Sequence, residues 1–403
     1  MSETSDGPLN GLSVVDFSGM ISGGFATMTL ADFGADVVKV EHPEFTDPLR
    51  DWAPTEGETS LWWKSIGRNK RCVTLDLDSD EGRELALGLV EKADVVFENF
   101  RPGKMEEWGL DYEKLREVNE SVIFVRISGY GQTGPKSAKP GFGTVAEGVA
   151  GWAQVNGFPD QEPLLPPISL ADLVAALYAV QSTMFAVFER DIGAGASGEG
   201  QVIDVSLYEP LFRLFVGDVE AYHKTGAVPE RTGNRHPNAS PRGVFETTDG
   251  HVTLSASTQP VFERVMAAID RESLISDERF STNEKRVENA AAIEEIIEEW
   301  TRQQTTDEAI AILEQHDAVA GPVHNLTEIL EDEQFQARDN VVEIDDQDVG
   351  TLKTPNVVPK FSRTPGSVDH AGPRHGEHTA AVFREKLGVT DEELAALRQR
   401  GII

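Results

Sequence analysis

Apolar and polar positions follow a repeated order over the first 130 residues of the chain. Short apolar runs, such as LSVVDFS at 12–18 and DVVKVEHP at 36–43, are typical of buried strands, and amphipathic segments between them are typical of helices. Strands that alternate with helices predict an α/β fold with a mostly parallel, doubly wound sheet. Ligands of such sheets bind at the carboxyl ends of the strands. The residues that we expect at such ends are Ser18, His42, Asn99 and Gly129.

The least polar stretch of the chain is LADLVAALYAVQSTMFAVF, residues 170–188. A long apolar run with few β-branched residues predicts a buried helix. It is nearly long enough to span a bilayer, but Asp172, Gln181 and the preceding Pro166-Pro167 favour a core helix. Asp172 lies in the predicted first turn, where a carboxylate either accepts hydrogen bonds from free amides or takes part in chemistry. Both interpretations stand at this point.

The turn after the first predicted strand is rich in glycine and reads GMISGG, residues 19–24. It does not match G-x-G-x-x-G, so it is a weak signal for a dinucleotide site. The turn places backbone amides at a helix N-terminus, which suits an anion or a carbonyl oxygen.

A loop is predicted over residues 43–70, with several tryptophans and an unusual share of the basic residues of the chain. Surface salt bridges and an anion-binding role explain this basic cluster equally well. Its members are Arg50, Lys64, Arg68, Lys70 and Arg71.

The pattern of the chain changes near residue 224. A Pro- and Gly-containing linker precedes GVFETTDGHVTLSA, which predicts two strands joined by an Asp-Gly turn, and several helices follow. We expect residues 1–200 to form the N-terminal part of a large domain, 201–224 a linker helix, 225–330 a small α+β domain and 331–403 a C-terminal tail.

The acidic balance of the chain excludes some partners. Asp and Glu number 69 against 36 Lys and Arg, for a net charge of −33, and the acidic residues are spread along the whole sequence. Nucleic acid and anionic membrane surfaces both require basic residues, so neither is an expected partner. A dispersed acidic surface with only 13 lysines fits a cytosol at molar salt, although an ordinary acidic protein remains the alternative.

The cysteine and histidine residues indicate neither disulfides nor a metal centre. The single cysteine, Cys72, lies in a strand-like segment and is expected to be a buried thiol in a reducing compartment. The N-terminus has no signal-peptide pattern, so we expect a cytoplasmic location. His375 and His378 in RHGEH supply two possible ligands without a third, and we predict no metal site.

Many stretches together resemble class III CoA-transferases, the family of formyl-CoA and carnitine CoA-transferases, from one end of the chain to the other. In chain order they are LSVVDFSGMISGG, ADFGADVVKVEHP, GRNKRCVTLDLDSDEG, VVFENFRPG, RISGYGQTGP, ISLADLVAALYAVQSTMFAVFER, GEGQVIDVSLYE, RTGNRHPNASPRGVFETTDG, AGPVHN and HGEHT.

This resemblance implies that Asp172 is a nucleophile that forms an acyl-aspartyl anhydride and then an aspartyl-CoA thioester. CoA esters are then substrates, and no tightly bound cofactor is expected. The residues that match the CoA contacts of the family are Ile21, Ser22, His42, Leu75, Asp76, Leu77, Asp78, Asn99, Phe100, Arg101, Lys139, Gly141 and Phe142. Trp52 and Phe142 match residues of the acyl pocket, and Arg235 and His236 are candidate clamps for a substrate carboxylate.

The family architecture is an interlocked homodimer in which the tail, residues 331–403 here, returns to the large domain. Two positions depart from the family pattern: Glu107 stands where Arg is common, which leaves Arg101 or Lys104 for a phosphate, and Ala176 stands where Gly is common. There is also no glycine-rich lid of the formyl-CoA transferase type. The resemblance and the acidic surface favour transfer of CoA from succinyl-CoA to mesaconate or another small dicarboxylic acid.

Two other functions are considered. An α-methylacyl-CoA racemase shares the fold, but it needs a His-Asp pair in the passage matching 141–151, where this chain has Phe142-Gly143. A non-catalytic CoA-binding protein would be expected to lack the nucleophile, and Asp172 is present.

Overall fold

The computed structural model describes residues 7–403, which divide into two compact units. The larger unit contains the described residues through Trp152, Pro166–Val219 and Gln336–Ile403, and the smaller unit contains Ala153–Leu165 and Glu220–Phe335. The described strands are β1 Ser13–Asp16, β2 Asp36–Glu41, β3 Thr55–Glu56, β4 Thr59–Ser60, β5 Arg71–Thr74, β6 Val95–Glu98, β7 Ile123–Ser128, β8 Val202–Ser206, β9 Arg242–Glu246, β10 His251–Ser255, β11 Ala320–Pro322, β12 Val341–Asp346 and β13 Gly350–Pro355.

Several helices begin after a capping side chain, such as Ser60, Ser79 and Thr305. The described α-helices are α1 Ser22–Asp32, α2 Leu61–Ile66, α3 Asp80–Glu91, α4 Lys104–Glu107, α5 Tyr112–Val118, α6 Gly143–Val149, α7 Trp152–Val155, α8 Leu170–Asp191, α9 Glu209–Phe212, α10 Asp218–Thr225, α11 Gln259–Ala268, α12 Asn283–Glu288, α13 Ala290–Thr301, α14 Thr306–Gln315, α15 Leu326–Glu331, α16 Glu333–Ala337, α17 Thr379–Val382 and α18 Asp391–Gln399.

The central sheet of the larger unit confirms the predicted doubly wound α/β fold. Its order is β5-β2-β1-β6-β7-β8, and every neighbouring pair is parallel. Counted in chain order, this is the 3-2-1-4-5-6 arrangement of dinucleotide-binding folds. The chain reverses its direction of winding between β1 and β6, so the loops that follow these two strands diverge there and leave a crevice for a ligand.

Each face of the sheet has its own apolar core. On one face, α1 and α8 pack through small side chains that include Ala26 and Ala175. On the other face, α3 and the C-terminal α18 belong to one apolar core, to which α18 contributes Leu394 and Leu397. The C-terminal segment is joined to the sheet by the Asp76 amide, which donates to the Ile402 carbonyl at 2.8 Å.

Helix α8 differs from the prediction of a buried helix, because only one of its faces is buried. Ala171, Ala175, Ala179 and Ala186 are covered. An opposite stripe is exposed and apolar, with Leu177, Phe185 and Phe188 at 54%, 64% and 56%. By length and hydropathy α8 also meets the criterion for a membrane span, a criterion that core helices of soluble proteins meet as well.

The smaller unit is α+β, as its sequence pattern predicts. β9 and β10 form the predicted antiparallel hairpin, β11 adds a third strand, and α11, α13 and α14 cover the apolar core. The expectation for residues 201–224 is wrong: they contain β8, the edge strand of the large sheet, before α9 and α10, and are not one linker helix. Residues 43–70, expected as a loop, contain α2.

Candidate active site

The glycine turn after β1 lies at the point where the winding of the sheet reverses, and Asn99 holds it from the end of β6. The Gly19 amide donates to Asn99 Oδ1 at 2.8 Å, and Asn99 Nδ2 donates to the Gly19 carbonyl at 2.7 Å and to Ser22 Oγ at 3.2 Å. The Met20 amide donates to the Asp47 carboxylate at 3.2 Å. The turn amides of Gly19 and Met20 are therefore not free for a ligand, contrary to the expectation from sequence.

A buried ion pair lies beneath this turn. Asp16 and Lys70 are both fully buried and are 3.3 Å apart, and Lys70 also donates to the Gly24 carbonyl at 2.9 Å. Burial alone would raise the pKa of Asp16, but Lys70 and Lys39 outweigh it and lower that pKa, so the carboxylate is ionised. A charge pair without water is stable only when its remaining hydrogen bonds are made, as they are here by Ser18 and Thr27.

The basic cluster of residues 50–71 is explained by ion pairs rather than by anion binding. Every member has a carboxylate partner, several of them distant in sequence. The pairs are Arg50 with Glu41, Lys64 with Asp346 and Asp348, Arg68 with Asp32, Lys70 with Asp16, and Arg71 with Asp36 and Glu385.

Two neighbouring cavities in the larger unit bring most of the predicted CoA contacts together. The first, of about 200 Å³, is lined by His42, Leu75, Leu77, Asp78 and Phe100. The second, of about 140 Å³, shares Phe100 and adds Asn99, Arg101, Lys139, Gly141 and Phe142. The remaining predicted contacts lie beside them: Asp76 is 3.6 Å from His42, Ser22 accepts from Asn99, and Ile21 is the buried residue before α1.

The second cavity has unpaired polar groups. Arg101 and Lys139 make no ion pair with any residue of 7–403, although the chain is strongly acidic. Ser128, at the end of β7, is 5% exposed, and its hydroxyl has no hydrogen-bond partner among the described residues. Gly129 and Gly141 pack backbone to backbone here, since a Cβ on Gly129 would lie 2.6 Å from the Gly141 Cα. The cavity therefore offers two cations and one hydroxyl to a ligand.

The Asp172 carboxylate is half-buried in the first turn of α8. Its own amide donates to it, and no side chain of residues 7–403 does so. Burial, together with the nearby charge of Glu147, raises the pKa of Asp172 to about 6. Gly143, the first residue of α6, packs directly against this carboxylate, because a Cβ there would overlap Asp172 Oδ2 and lie 3.1 Å from Cγ.

Asp172 is therefore not held as a helix cap. The acceptor at the start of α8 is Glu147, which receives a hydrogen bond from the Ala171 amide at 3.3 Å. The Asp172 carboxylate is ionisable near neutral pH and has no side-chain partner among residues 7–403, which are the properties of an oxygen nucleophile.

The other predicted pocket residues already have partners of their own. Trp52 packs edge-on against Trp62, with ring centroids 5.8 Å apart. Arg235 and His236 belong to the smaller unit, where Arg235 is paired with Glu294 at 2.7 Å and His236 accepts from the Asn238 amide. Glu107 is paired with Lys104 at 3.3 Å, which leaves Arg101 as the free cation of that loop.

Histidine and cysteine positions have structural explanations. His375 contacts the His42 carbonyl at 2.9 Å and His378 accepts from the Cys72 amide at 3.1 Å, so both fix the tail to the sheet. Cys72 is fully buried, and burial raises the pKa of its thiol to about 12, which excludes a thiolate nucleophile. His42, Asp76 and Asp78 could offer three ligand atoms to a metal ion, but Trp108 already donates to Asp78 at 2.7 Å.

Three residues of the site were not identified from the sequence: Ser128, Gly143 and Glu147. The last two lie in GFGTVAEGV, whose glycines weaken the sequence signal for the short helix α6. Their spacing of four residues was the available signal, since residues i and i+4 share one face of a helix.

The comparisons with known proteins decide the family. A sequence model of CoA-transferase family III matches residues 9–379. The chain belongs to CoA-transferase family III. This family III CoA-transferase is 39% identical to the succinyl-CoA–D-citramalate CoA-transferase of Chloroflexus aurantiacus, over 98% of each chain. It is 34% identical to the succinate–glutarate CoA-transferase of Agrobacterium fabrum, over 94% of this chain and 95% of that one.

The fold of this family III CoA-transferase also matches a solved structure of the same family. The crystal structure of a CaiB/BaiF family protein from Brucella suis superposes with a TM-score of 0.83 at 35% identity, over 94% of this chain and 99% of that chain. The family resemblance, the α/β fold and the assignment as a CoA-transferase are thus confirmed.

Proposed function

We propose that this enzyme transfers CoA from succinyl-CoA to a small dicarboxylic acid, with mesaconate as the first candidate acceptor. The observation that carries the proposal is the Asp172 carboxylate, which is half-buried, lacks a side-chain partner among residues 7–403 and has a pKa raised to about 6. The relatives named for succinyl-CoA use citramalate, malate or, for a related enzyme, glutarate. These acids and mesaconate share two carboxylates on a chain of four or five carbons.

The proposed mechanism conserves the energy of the thioester through exchanges at Asp172. A carboxylate oxygen of Asp172 attacks the succinyl thioester carbonyl, and CoA leaves as thiolate. The thiolate then attacks the aspartyl carbonyl of the mixed anhydride, which releases succinate and leaves an aspartyl-CoA thioester. The acceptor carboxylate displaces CoA to form a second anhydride. Attack of the thiolate on the acceptor carbonyl yields the new CoA ester and restores Asp172. No step needs a proton, and the four steps together divide one difficult exchange into easier ones.

The two cavities support a path for CoA that ends at Asp172. Phe142 lines the second cavity, and the next residue, Gly143, contacts the carboxylate. Arg101 and Lys139 suit the diphosphate, and Ser128 suits an amide of the pantetheine arm. The first cavity, lined by Leu75, Leu77 and Phe100, is apolar enough for adenine, and its Asp78 disfavours phosphate.

The homodimer of the family is part of the proposal. The exposed stripe of α8, formed by Leu177, Phe185 and Phe188, is a surface that a second copy would cover. A cytoplasmic location and adaptation to molar salt are proposed from the net charge of −33 and the reduced, buried Cys72.

Mass analysis of reactions in molar KCl tests the proposal. The enzyme is incubated with succinyl-CoA and each of mesaconate, citramalate, malate and glutarate, and the CoA esters are identified by mass. We expect a new CoA ester with at least one acid, and a hydroxylamine-sensitive adduct on Asp172 when succinyl-CoA is added alone. Asp172→Ala should abolish both. Transfer by Asp172→Ala near the wild-type rate would refute the mechanism, and solvent-deuterium exchange into a 2-methylacyl-CoA without acceptor would indicate a racemase instead.

The role of Ser128 in binding CoA has a matched control. Ser128 and Ser240 are both buried hydroxyls without partners among the described residues, but only Ser128 lines the second cavity. We expect Ser128→Ala to raise the KM for succinyl-CoA by about threefold to tenfold, the cost of one hydrogen bond, with kcat little changed. Ser240→Ala should leave KM unchanged. An equal KM for both variants would remove Ser128 from the proposed path.

A further inference from the structure

The first turn of α8 has amides that need acceptors, and its own segment supplies only some of them. The Leu170 amide donates to the Ile168 carbonyl at 2.8 Å, whereas the Ala171 amide donates to a residue outside the segment. The first four amides of a helix lack intrahelical partners. Ser169, the residue before α8, makes no side-chain cap, and Asp172 accepts from its own amide. A carboxylate in such a position is normally drawn to the neighbouring amides. Something else must therefore satisfy this helix end.

Glu147 satisfies it from another helix. Its carboxylate is 3% exposed and accepts from the Ala171 amide at 3.3 Å. Burial raises the pKa of Glu147, while the Ala171 and Leu170 amides oppose that rise. Glu147 is thus a buried acceptor placed at the amides that precede Asp172.

The face of α6 that meets α8 fits this role at two positions one turn apart. Gly143 presents no side chain, so the Asp172 carboxylate can lie directly against the backbone of α6. Glu147, four residues later, reaches from the same face to the start of α8. Gly143 leaves room for the Asp172 carboxylate. Glu147 accepts from the Ala171 amide, which would otherwise compete for that carboxylate.

We infer that Glu147 is a positioning residue for Asp172: it occupies the Ala171 amide at the start of α8 and keeps the neighbouring carboxylate free to react. The inference rests on the proposed role of Asp172 as nucleophile. Glu147 also acts through its charge: it is the one titratable group of residues 7–403 whose charge shifts the pKa of Asp172, in the same upward direction as burial. A carboxylate of higher pKa is the stronger nucleophile once it is ionised.

Two variants separate the positioning of Asp172 from the charge of Glu147. Glu147→Gln keeps a carbonyl oxygen for the Ala171 amide but removes the charge, so the pKa of Asp172 should fall, although burial still holds it above its ordinary value. Glu147→Ala also frees the amide, and Asp172 should turn toward it, which lowers the pKa further and slows acylation at the pH plateau by at least about tenfold. Asp94→Asn is the control, because Asp94 also accepts from a backbone amide, that of Ser13, and contacts Arg190 near the other end of α8.

The experiment measures carbodiimide labelling of Asp172, which reports its protonation, by peptide mass spectrometry across pH on the full chain. Acylation of Asp172 by succinyl-CoA is followed in parallel over a single turnover. Lower labelling midpoints for both Glu147 variants, an acylation plateau lost only in Glu147→Ala, and unchanged values for Asp94→Asn are expected. Wild-type midpoints and plateaus in both Glu147 variants would overturn the inference. Failure of wild-type acylation would count against the proposed function, while the labelling midpoints would still decide the role of Glu147.

Discussion

Asp172 is a carboxylate that the folded chain keeps out of water without a side-chain partner, and this has a cost in stability. Its folded-state pKa of about 6 exceeds the ordinary value of 3.8 because burial and Glu147 disfavour the charge. Folding therefore favours the protonated form. The contribution of protonated Asp172 to the free energy of unfolding is fully present below pH 3.8 and is lost as the pH rises through about 6.

Asp172→Asn should consequently stabilise the protein while it abolishes transfer. At neutral pH we expect the free energy of unfolding to rise by about 1–3 kcal/mol, the equivalent of a one- to two-unit pKa shift. Below pH 3.8 the variant and the wild type should be equally stable. Denaturant unfolding across pH in molar KCl measures this, with Asp51→Asn, an exposed position, as the control. A gain that does not depend on pH would contradict the assignment.

Gly143 should be needed for its lack of a side chain rather than for its backbone freedom. In Gly143→Ala, the added methyl would overlap Asp172 Oδ2 and displace the carboxylate. We expect the transfer rate to fall by about a hundredfold, as for a reacting group moved by about 1 Å. Gly148→Ala, on the same helix, meets no atom within 4 Å and should keep full activity with about 0.5–1 kcal/mol of added stability. Initial rates and unfolding of both variants test this, and equal activity would exclude a steric role for Gly143.

At the level of elements, the sequence pattern predicts those strands and helices that form through local interactions. β1, α1 and β2 follow from short apolar runs and a glycine turn, and the doubly wound order follows from their alternation. The helix α6 does not, because its glycine-rich sequence has no apolar period and its helical form depends on packing against α8. Asp172 could therefore be found from the first turn of the apolar helix α8, whereas Glu147 had only its spacing of four residues from Gly143 as a signal.

Long-range partners limit what can be predicted about charge. The cluster of basic residues at 50–71 left two explanations open, since its decisive partners, such as Asp346 for Lys64 and Glu385 for Arg71, are hundreds of residues away. Likewise, the sequence of α8 predicts a buried helix. Only one of its faces is buried, because that depends on which other elements pack against it. The alanine face contacts α1, and the phenylalanine face has no cover within the chain as described.

The uncovered face of α8 leads to a prediction about assembly. An Asp at Phe185, which is 64% exposed, would cost a monomer little, about 0.5 kcal/mol or less. In a dimer that buries this face, the same charge would be desolvated without a partner. We expect Phe185→Asp to shift the protein from dimer to monomer, as measured by sedimentation velocity in molar KCl. Leu326→Asp, a similarly exposed site at 70% in the smaller unit, should remain dimeric. A dimer that persists in Phe185→Asp would place the interface elsewhere.

On the scale of the whole molecule, charge repulsion opposes folding. The net charge is −33, and the acidic residues extend over both units, so the compact state holds many like charges close together. Buried pairs such as Asp16 with Lys70 are shielded from salt by the protein itself. Repulsion among exposed carboxylates, in contrast, is screened within about 3 Å at molar ionic strength.

Salt should therefore stabilise this protein, although it weakens the surface ion pairs. Exposed pairs each contribute about 0–1 kcal/mol, so their loss is small beside the relief of repulsion summed over the excess carboxylates. We expect the thermal midpoint to rise steeply from dilute buffer to molar KCl. Glu56→Gln with Glu58→Gln removes two exposed charges of the β3–β4 hairpin and should raise the midpoint in dilute buffer more than in KCl. A midpoint that is the same in both media would show that the acidic surface is not an adaptation to salt.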